Sequence, residues 1–337
     1  MSRFLRAAAG CSLVLTLAGV QQFATAQTYK AIGEYKVPGT YARNLAIDQE
    51  GRRIFVAGSD GVTVLNADTG AAVGKVERLK DTQDVLLIPE MKGDEKVSSA
   101  KGYAVDSAGH VIAFSLADLK TLATIKLDSA GAAQLCYDND EKTVEAVSAS
   151  GSLATIDATA NKVVKSGKIA TGAGQIACGN MSHVYVADPA ANVVHVLNHK
   201  TLKNEGDYPM KTGNKPAGLT LDTKGRRLFV ACEDGTIEVI DTDAGFTFIE
   251  LKGGKGPGRE TFVWLPQGKG QWKAAAFVAQ EDGTLSAIRM NAYINYSMGS
   301  QYKLSAGLGA IAYDDKTHHL YLTSMNSGSP VIVVAGY

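Results

Sequence analysis

The sequence predicts an all-β protein, a seven-bladed β-propeller of four-stranded antiparallel blades whose ring is closed by the N-terminal strand completing the last blade. Three observations predict it. A β-hairpin unit recurs along the chain, its period is about 40–50 residues, and the two ends supply complementary parts of one blade.

The hairpin is clearest at Arg226–Asp241 (RRLFVACEDGTIEVID). Leu228–Cys232 is an unbroken apolar run, which suits a strand covered on both faces. Glu233-Asp234-Gly235 is a tight-turn sequence, and Thr236–Ile240 alternates β-branched and polar residues. The same unit reads RRIFVAGSDGVTVLN at Arg52–Asn66, AFVAQEDGTLSAIR at Ala276–Arg289 and VYVADPAANVVHVLN at Val184–Asn198. Weaker copies lie at Gly102–Ser115, Glu145–Asp157 and Leu320–Ala335, which makes seven.

Ahead of each hairpin sits another apolar segment, anchored on Leu45, Leu86, Leu135, Ile176, Leu219, Val263 and Ile311 at spacings of 41, 49, 41, 43, 44 and 48 residues. Most repeats add an outer strand, as at Ala72–Leu79, Leu122–Leu127, Lys162–Ile169 and Phe246–Lys252. Pro89–Lys101 and Pro266–Lys273 are expected to be polar surface excursions. The seventh repeat ends at its third strand, and Tyr29–Val37 reads as an outer strand with no repeat before it. Pairing the two closes the ring and removes the open edges.

Residues 1–26 differ in kind: Arg3 and Arg6, an apolar Ala7–Val20, then Ala24-Thr25-Ala26 as a small-x-small cleavage site. This is the pattern of a secretory signal. Cys11 lies ahead of most of the apolar run, so it is not a lipoprotein site. Residues 27–337 form one propeller domain, placed in the periplasm or secreted, with no membrane span and read as a monomer. Without the signal, 32 Lys+Arg face 34 Asp+Glu. That balance argues against a basic nucleic-acid surface.

Repeats such as Ala217–Asp241 (AGLTLDTKGRRLFVACEDGTIEVID) resemble the YVTN-type seven-bladed propellers of exported bacterial proteins. The shared pattern is an apolar strand ending in Asp, a short basic turn, an aromatic-bearing strand, a turn, and a strand ending Ile-Asp. The tetrad itself is altered, to VYVAD at Val184–Asp188 and LYLTS at Leu320–Ser324. Related propellers include lactonases, the heavy subunits of quinoprotein amine dehydrogenases, and binding proteins. The resemblance specifies architecture, and a fold alone does not choose among activities.

In such a ring the first strand of each blade lines the central channel, and residues at its start open on one funnel-shaped face. The candidates there are Tyr41, Arg43, Asn44, Gln83, Asp84, Gln134, Gln175, Lys215, Arg259 and Glu260. Arginines and amides converging on one funnel suit a carboxylate, a phosphate or an amide-bearing ligand. The competing reading is that they cap strand ends and tie blades together. Three functions follow: a binding or scaffold protein for a small polar ligand or a protein partner, a sugar-lactone hydrolase, or a propeller subunit of a redox complex. No catalytic set assembles from these positions and no cofactor motif is present.

Asp60, Asp234 and Asp282 precede Gly at matching turns, a placement that the turn itself favours. The histidines are scattered without zinc spacing: His110 in a hairpin turn, His195 and His199 flanking a third strand, His318-His319 in a surface turn. Tyr293, Tyr296 and Tyr302 are either exposed partner contacts or packed outer-strand residues. Cys136 and Cys178 fall on first strands of consecutive blades with opposite parity. They are either bridged, as an oxidising compartment permits, or two buried thiols. Cys232 is expected to be a lone buried thiol.

Overall fold

The computed structural model describes residues 28–92, 95–131, 133–169, 172–180, 182–266, 272–292 and 295–337. Over these residues the chain forms 28 strands in seven four-stranded antiparallel sheets, and no helix. The first strand, β1 (Lys30–Lys36), is held back for the last sheet. Blade 1 is β2 (Ala42–Asp48), β3 (Arg53–Gly58), β4 (Gly61–Asn66) and β5 (Ala72–Val76). Blade 2 is β6 (Thr82–Lys92), β7 (Glu95–Asp106), β8 (His110–Ser115) and β9 (Thr121–Lys126). Blade 3 is β10 (Ala133–Asp138), β11 (Thr143–Ser148), β12 (Ser152–Asp157) and β13 (Lys162–Lys168). Blade 4 is β14 (Ile176–Asn180), β15 (His183–Asp188), β16 (Val193–Asn198) and β17 (Asn204–Pro209). Blade 5 is β18 (Pro216–Asp222), β19 (Arg227–Cys232), β20 (Thr236–Asp241) and β21 (Phe246–Lys252). Blade 6 is β22 (Gly258–Pro266), β23 (Trp272–Gln280), β24 (Thr284–Ala292) and β25 (Asn295–Lys303). Blade 7 is β26 (Ile311–Tyr313), β27 (Leu320–Asn326) and β28 (Ser329–Gly336), completed by β1 in the order β1-β28-β27-β26.

The repeated residues have repeated jobs. At the centre of the second strand, Phe55, Tyr103, Tyr185, Phe229, Phe277 and Tyr321 are buried in six blades. They fill the space between blades, as Phe55 does against Phe114 at 5.6 Å and Phe229 against Tyr296 at 5.0 Å. Two of the tyrosines also reach the turn of the next blade: Tyr103 Oη donates to the Ala158 carbonyl at 3.1 Å, and Tyr321 Oη to that of Ala67 at 2.9 Å. Each such ring contributes about 1.5–3 kcal/mol through burial alone. The aspartate ending the first strand caps the turn that follows. Asp48, Asp138, Asp222 and Asp314 accept from the amides of Gly51, Asp140, Gly225 and Lys316 at 2.8–3.0 Å.

Ring closure rests on a second device. Arg52 of blade 1 donates to the fully buried Asp314 of blade 7 through Nη1 at 2.9 Å and Nη2 at 2.7 Å, and also grips Asp68. Gln49 adds a bond to the Tyr313 carbonyl at 2.9 Å.

Every outer strand carries a bulge at a matching place. The extra residue is Val73 in β5, Leu122 in β9, Val164 in β13, Glu205 in β17, Phe248 in β21, Gly299 in β25 and Ile32 in β1. A bulge twists an edge away from regular pairing.

The two excursions are strand-paired: β6 pairs with β7 out to Lys92 and Glu95, with register shifts at Ile88/Pro89 and Glu90/Met91, and β22 pairs with β23 out to Pro266 and Trp272. Two expectations need correction. The anchors Leu86 and Val263 are out of register. Val85 and Glu260 occupy the places of Leu45 and Leu219, because the apolar runs at Val85–Ile88 and Phe262–Leu265 extend beyond the shared strand length. His195 lies within β16, not beside it, between Asp188 at 3.3 Å and Asp207 at 2.7 Å.

Candidate functional site

The first-strand register defines one ring of channel positions. Asn44, Asp84, Gln134, Gly218 and Arg259 stand opposite Ala57, Val105, Val147, Ala231 and Ala279 on their second strands. The carbonyls of Gln175 and Ala310 accept from the equivalent amides of Ala187 and Thr323. Five of the seven positions thus carry hydrogen-bonding side chains, and all five are among the sequence candidates.

Most of this ring is laced together. Asn44 Nδ2 donates to Asp84 Oδ1, while its own Oδ1 accepts from the Leu45 amide at 2.8 Å. Asp84 accepts from Val85 N and from Leu135 N of blade 3, both at 2.7 Å. Gln175 Oε1 takes the Leu219 amide of blade 5 at 2.6 Å. Arg259 Nη1 donates back to the Ala217 carbonyl of blade 5 at 3.1 Å. Asn44, Asp84 and Gln175 thus accept backbone amides and Arg259 donates to a backbone carbonyl, partners that a buried backbone requires.

Burial sets the electrostatics. It pushes the Asp84 carboxyl up to about 7, against the bonds from Leu135, Val85 and Asn44 and the charge of Arg259. It lowers the pKa of Arg259, which Asp84 and Glu260 oppose. Arg259 is half-buried. Asp84 and Arg259, from blades 2 and 6, thus each favour the other's charged form.

Glu260 is the exception in its own series. Leu45, Val85, Leu135, Ile176, Leu219 and Ile311 hold the same register position in the other blades. Burial holds the Glu260 carboxyl well above the usual range, with the Ala231 amide and Arg259 pulling the other way. Neither of its oxygens makes a well-formed hydrogen bond.

The remaining candidates divide between mouth and wall. Arg43 occupies the bulge of β2, exposed at the mouth, with its guanidinium 4.6 Å from the Tyr41 ring centre. Gln134 is half-buried in the ring. Gln83 folds back: its Nε2 donates to the Asp81 carbonyl at 2.8 Å and to Asp81 Oδ1 at 2.9 Å. Lys215 is exposed on the approach to β18, 3.4 Å from Glu233, and is not in the ring.

Away from the channel, Asp234 and Asp282 accept from Thr236 N and Thr284 N at 2.9 Å, so they brace their turns. Among the described residues no group of three or more His, Cys, Asp or Glu is arranged to hold a metal ion. Tyr296 and Tyr302 are buried rather than exposed, because β25 packs them inward; Tyr293 lies outside the described residues. Cys136 and Cys178 are joined as a disulfide with Cα atoms 5.6 Å apart, and Cys232 is free and buried.

Sequence reasoning missed Glu238. This fully buried residue accepts the amides of Lys211, Thr212 and Gly213 at 3.1, 2.9 and 2.7 Å, and the Thr247 hydroxyl. It pins the connection between blades 4 and 5. Comparison with protein-family models and with curated proteins gives no match.

Proposed function

We propose that this is an exported binding protein on a propeller scaffold, and that its channel mouth takes a small ligand bearing a carboxylate or similar anionic group. The observation that carries the reading is the placement of Arg259. It reaches into the ring between Gly218 and Ala310, the two positions without a polar side chain, and spends one donor on the protein. A guanidinium has five donors in a planar fork, so the rest of the fork can meet a planar anion. Gln134 on the ring and Arg43 above it are the further contacts. Export is supported by the residue pattern of 1–26.

A lactone-hydrolase reading needs a free base beside a bound carbonyl. Asp84 does not supply one, because Asn44, Val85 and Leu135 already engage its oxygens.

The test is a thermal-shift screen of residues 27–337 with dicarboxylates, sugar acids, phosphates and neutral lactones, beside Arg259→Ala and Arg43→Ala. A ligand at 100 times its Kd stabilises the folded state by about 2.7 kcal/mol. An anion should raise the wild-type Tm, less so with Arg43→Ala and not at all with Arg259→Ala. Equal shifts in all three chains, or a response to lactones alone, would refute the reading.

A further inference from the structure

Six of the seven seams between blades hold a buried aromatic ring from the second strand, and the seam between blades 3 and 4 does not. Where six second strands hold a buried Phe or Tyr, blade 3 holds Glu145. Where the turn after the third strand offers Ala67, Leu116, Ala158 or Thr242, blade 4 offers His199. The two exceptions face each other. Tyr103 and Tyr321 donate to a carbonyl at this place in their own seams; here Glu145 Oε1 lies 3.4 Å from His199 Nδ1. Asp138 Oδ2, from the end of β10, approaches the same nitrogen at 3.6 Å.

All three side chains are buried: Glu145 is 0% exposed, Asp138 1% and His199 4%. Thr143 and Thr155 donate to Glu145 at 3.1 and 2.7 Å, and His199 Nε2 meets Thr143 Oγ1 at 3.3 Å. Neither Asp138 Oδ2 nor His199 Nδ1 makes a well-formed hydrogen bond. The other charges facing the cluster are Lys165, whose Nζ donates to the carbonyls of His199 and Lys200, and the surface pair Glu141–Lys200 at 3.3 Å.

We propose that the blade 3–blade 4 seam is a proton-dependent latch, tight while a proton is held between Glu145 and His199 and loosened when that proton is lost to solvent. Its loss leaves two carboxylates and a neutral imidazole in the seam, with Lys165 at the margin. Uncompensated buried charge favours opening, because opening readmits water. Cys136 stands directly opposite Glu145 in the β10–β11 ladder. Its disulfide to Cys178 therefore tethers the same seam on the channel side and keeps the loosened blades in register.

The direction in pH follows from both groups. Burial, helped by the Asp138 charge, pushes Glu145 from 4.5 up to about 7, against the threonine bonds and Lys165. A raised acid stabilises the closed seam below its ordinary pKa, and this contribution is lost as pH rises through about 7. Burial lowers His199 from 6.5, with Asp138 and Glu141 opposing and Lys165 and Lys200 assisting. That contribution is present above 6.5 and is lost as pH falls through the lowered value, so the seam is tightest between the two titrations and His199 bounds that window on the acid side. Alkalinisation is the direction that strips the shared proton.

The experiment is amide hydrogen exchange on the oxidised protein at pH 5, 6, 7 and 8, with rates expressed as protection factors so that the chemical pH dependence cancels. Protection of β11 and β16 should fall by at least about tenfold from its highest value, at pH 5 or 6, to pH 8, one pKa unit's worth. The seam holding Phe55 and Phe114 serves as the internal control and should not change. Glu145→Gln, which mimics the protonated acid, should remove the fall. Glu145→Phe with His199→Ala, which rebuilds the seam on the pattern of its neighbours, should remove it too. Wild-type protection that tracks the control seam at every pH overturns the proposal, whether or not either variant folds. So does a fall that persists in either variant.

Discussion

Replacing Asp314 by Asn isolates the charge that closes the ring. Asp314 is fully buried and accepts from Arg52 Nη1 at 2.9 Å, Arg52 Nη2 at 2.7 Å, Lys316 N at 3.0 Å and Thr317 Oγ1 at 2.7 Å. Asn keeps the shape and one acceptor oxygen, so the turn stays capped while the guanidinium loses a partner. Breaking a buried ion pair from one side costs about 3–5 kcal/mol. Arg52 is 18% exposed and retains Asp68 at 2.6 Å, which places this case lower, at about 2–3 kcal/mol. With roughly 2 °C lost per kcal/mol in a large domain, Tm should fall by about 4–6 °C at pH 7. Burial alone would raise the Asp314 pKa, but the bonds from Arg52, Thr317 and Lys316 outweigh it and leave the carboxyl below 3.8. A depressed acid stabilises the fold above its unfolded pKa, and that stabilisation is lost as pH falls through the folded one. Scanning calorimetry from pH 7 to pH 3 should therefore show the two proteins converging on the acid side. A loss below about 0.5 kcal/mol at pH 7, the size of a neutral surface change, would refute the argument, as would a difference that stays constant down to pH 3.

Two further outcomes test the packing. Glu238→Ala strands the amides of residues 211–213 inside the seam between blades 4 and 5, and should cost at least about 3 kcal/mol in urea unfolding; Glu238→Gln, which keeps one acceptor, should cost less. The Cys136–Cys178 bridge closes a loop spanning 42 residues, which corresponds to roughly 4 kcal/mol by chain entropy. Reduction should lower Tm accordingly, and intact mass with and without reductant should differ by two hydrogens; three free thiols in the unreduced protein would remove the bridge.

The fold was legible because its signals are local and repeated. Apolar runs such as Leu228–Cys232, Gly-bearing turns such as Glu233–Gly235 and strand-ending aspartates each name their own element, and the repetition averages out the weak copies. Ring closure was legible too, since Tyr29–Val37 and Val331–Ala335 are each an incomplete blade. Register was harder. A run such as Val85–Ile88 has no polar residue to fix which position faces the preceding blade, and a bulge at Gln83 shifts the frame.

The channel ring was found in type but not in use. Nothing in Asn44 or Gln175 tells that each engages the backbone or a side chain of a particular neighbouring blade, because those partners lie about one repeat away in sequence. The Glu145–His199 contact had a readable signal. One repeat in seven has an acid where the others have an aromatic ring. It becomes visible only when the second strands are aligned residue by residue. Glu238 had none, since its three amide partners belong to an irregular connection.

The strand that closes the ring has a temporal consequence. β1 precedes the other described strands in the chain, yet its ladder partner among the described residues is β28. The ring therefore stays an open arc, with β28 lacking an edge partner and the inner aromatic Tyr29 without Tyr302 and Tyr337 around it, until the final hairpin has emerged. Joining residues near Tyr29 to those near Tyr337, whose rings are 5.4 Å apart, and reopening the chain at another blade boundary would turn that last step into an early one.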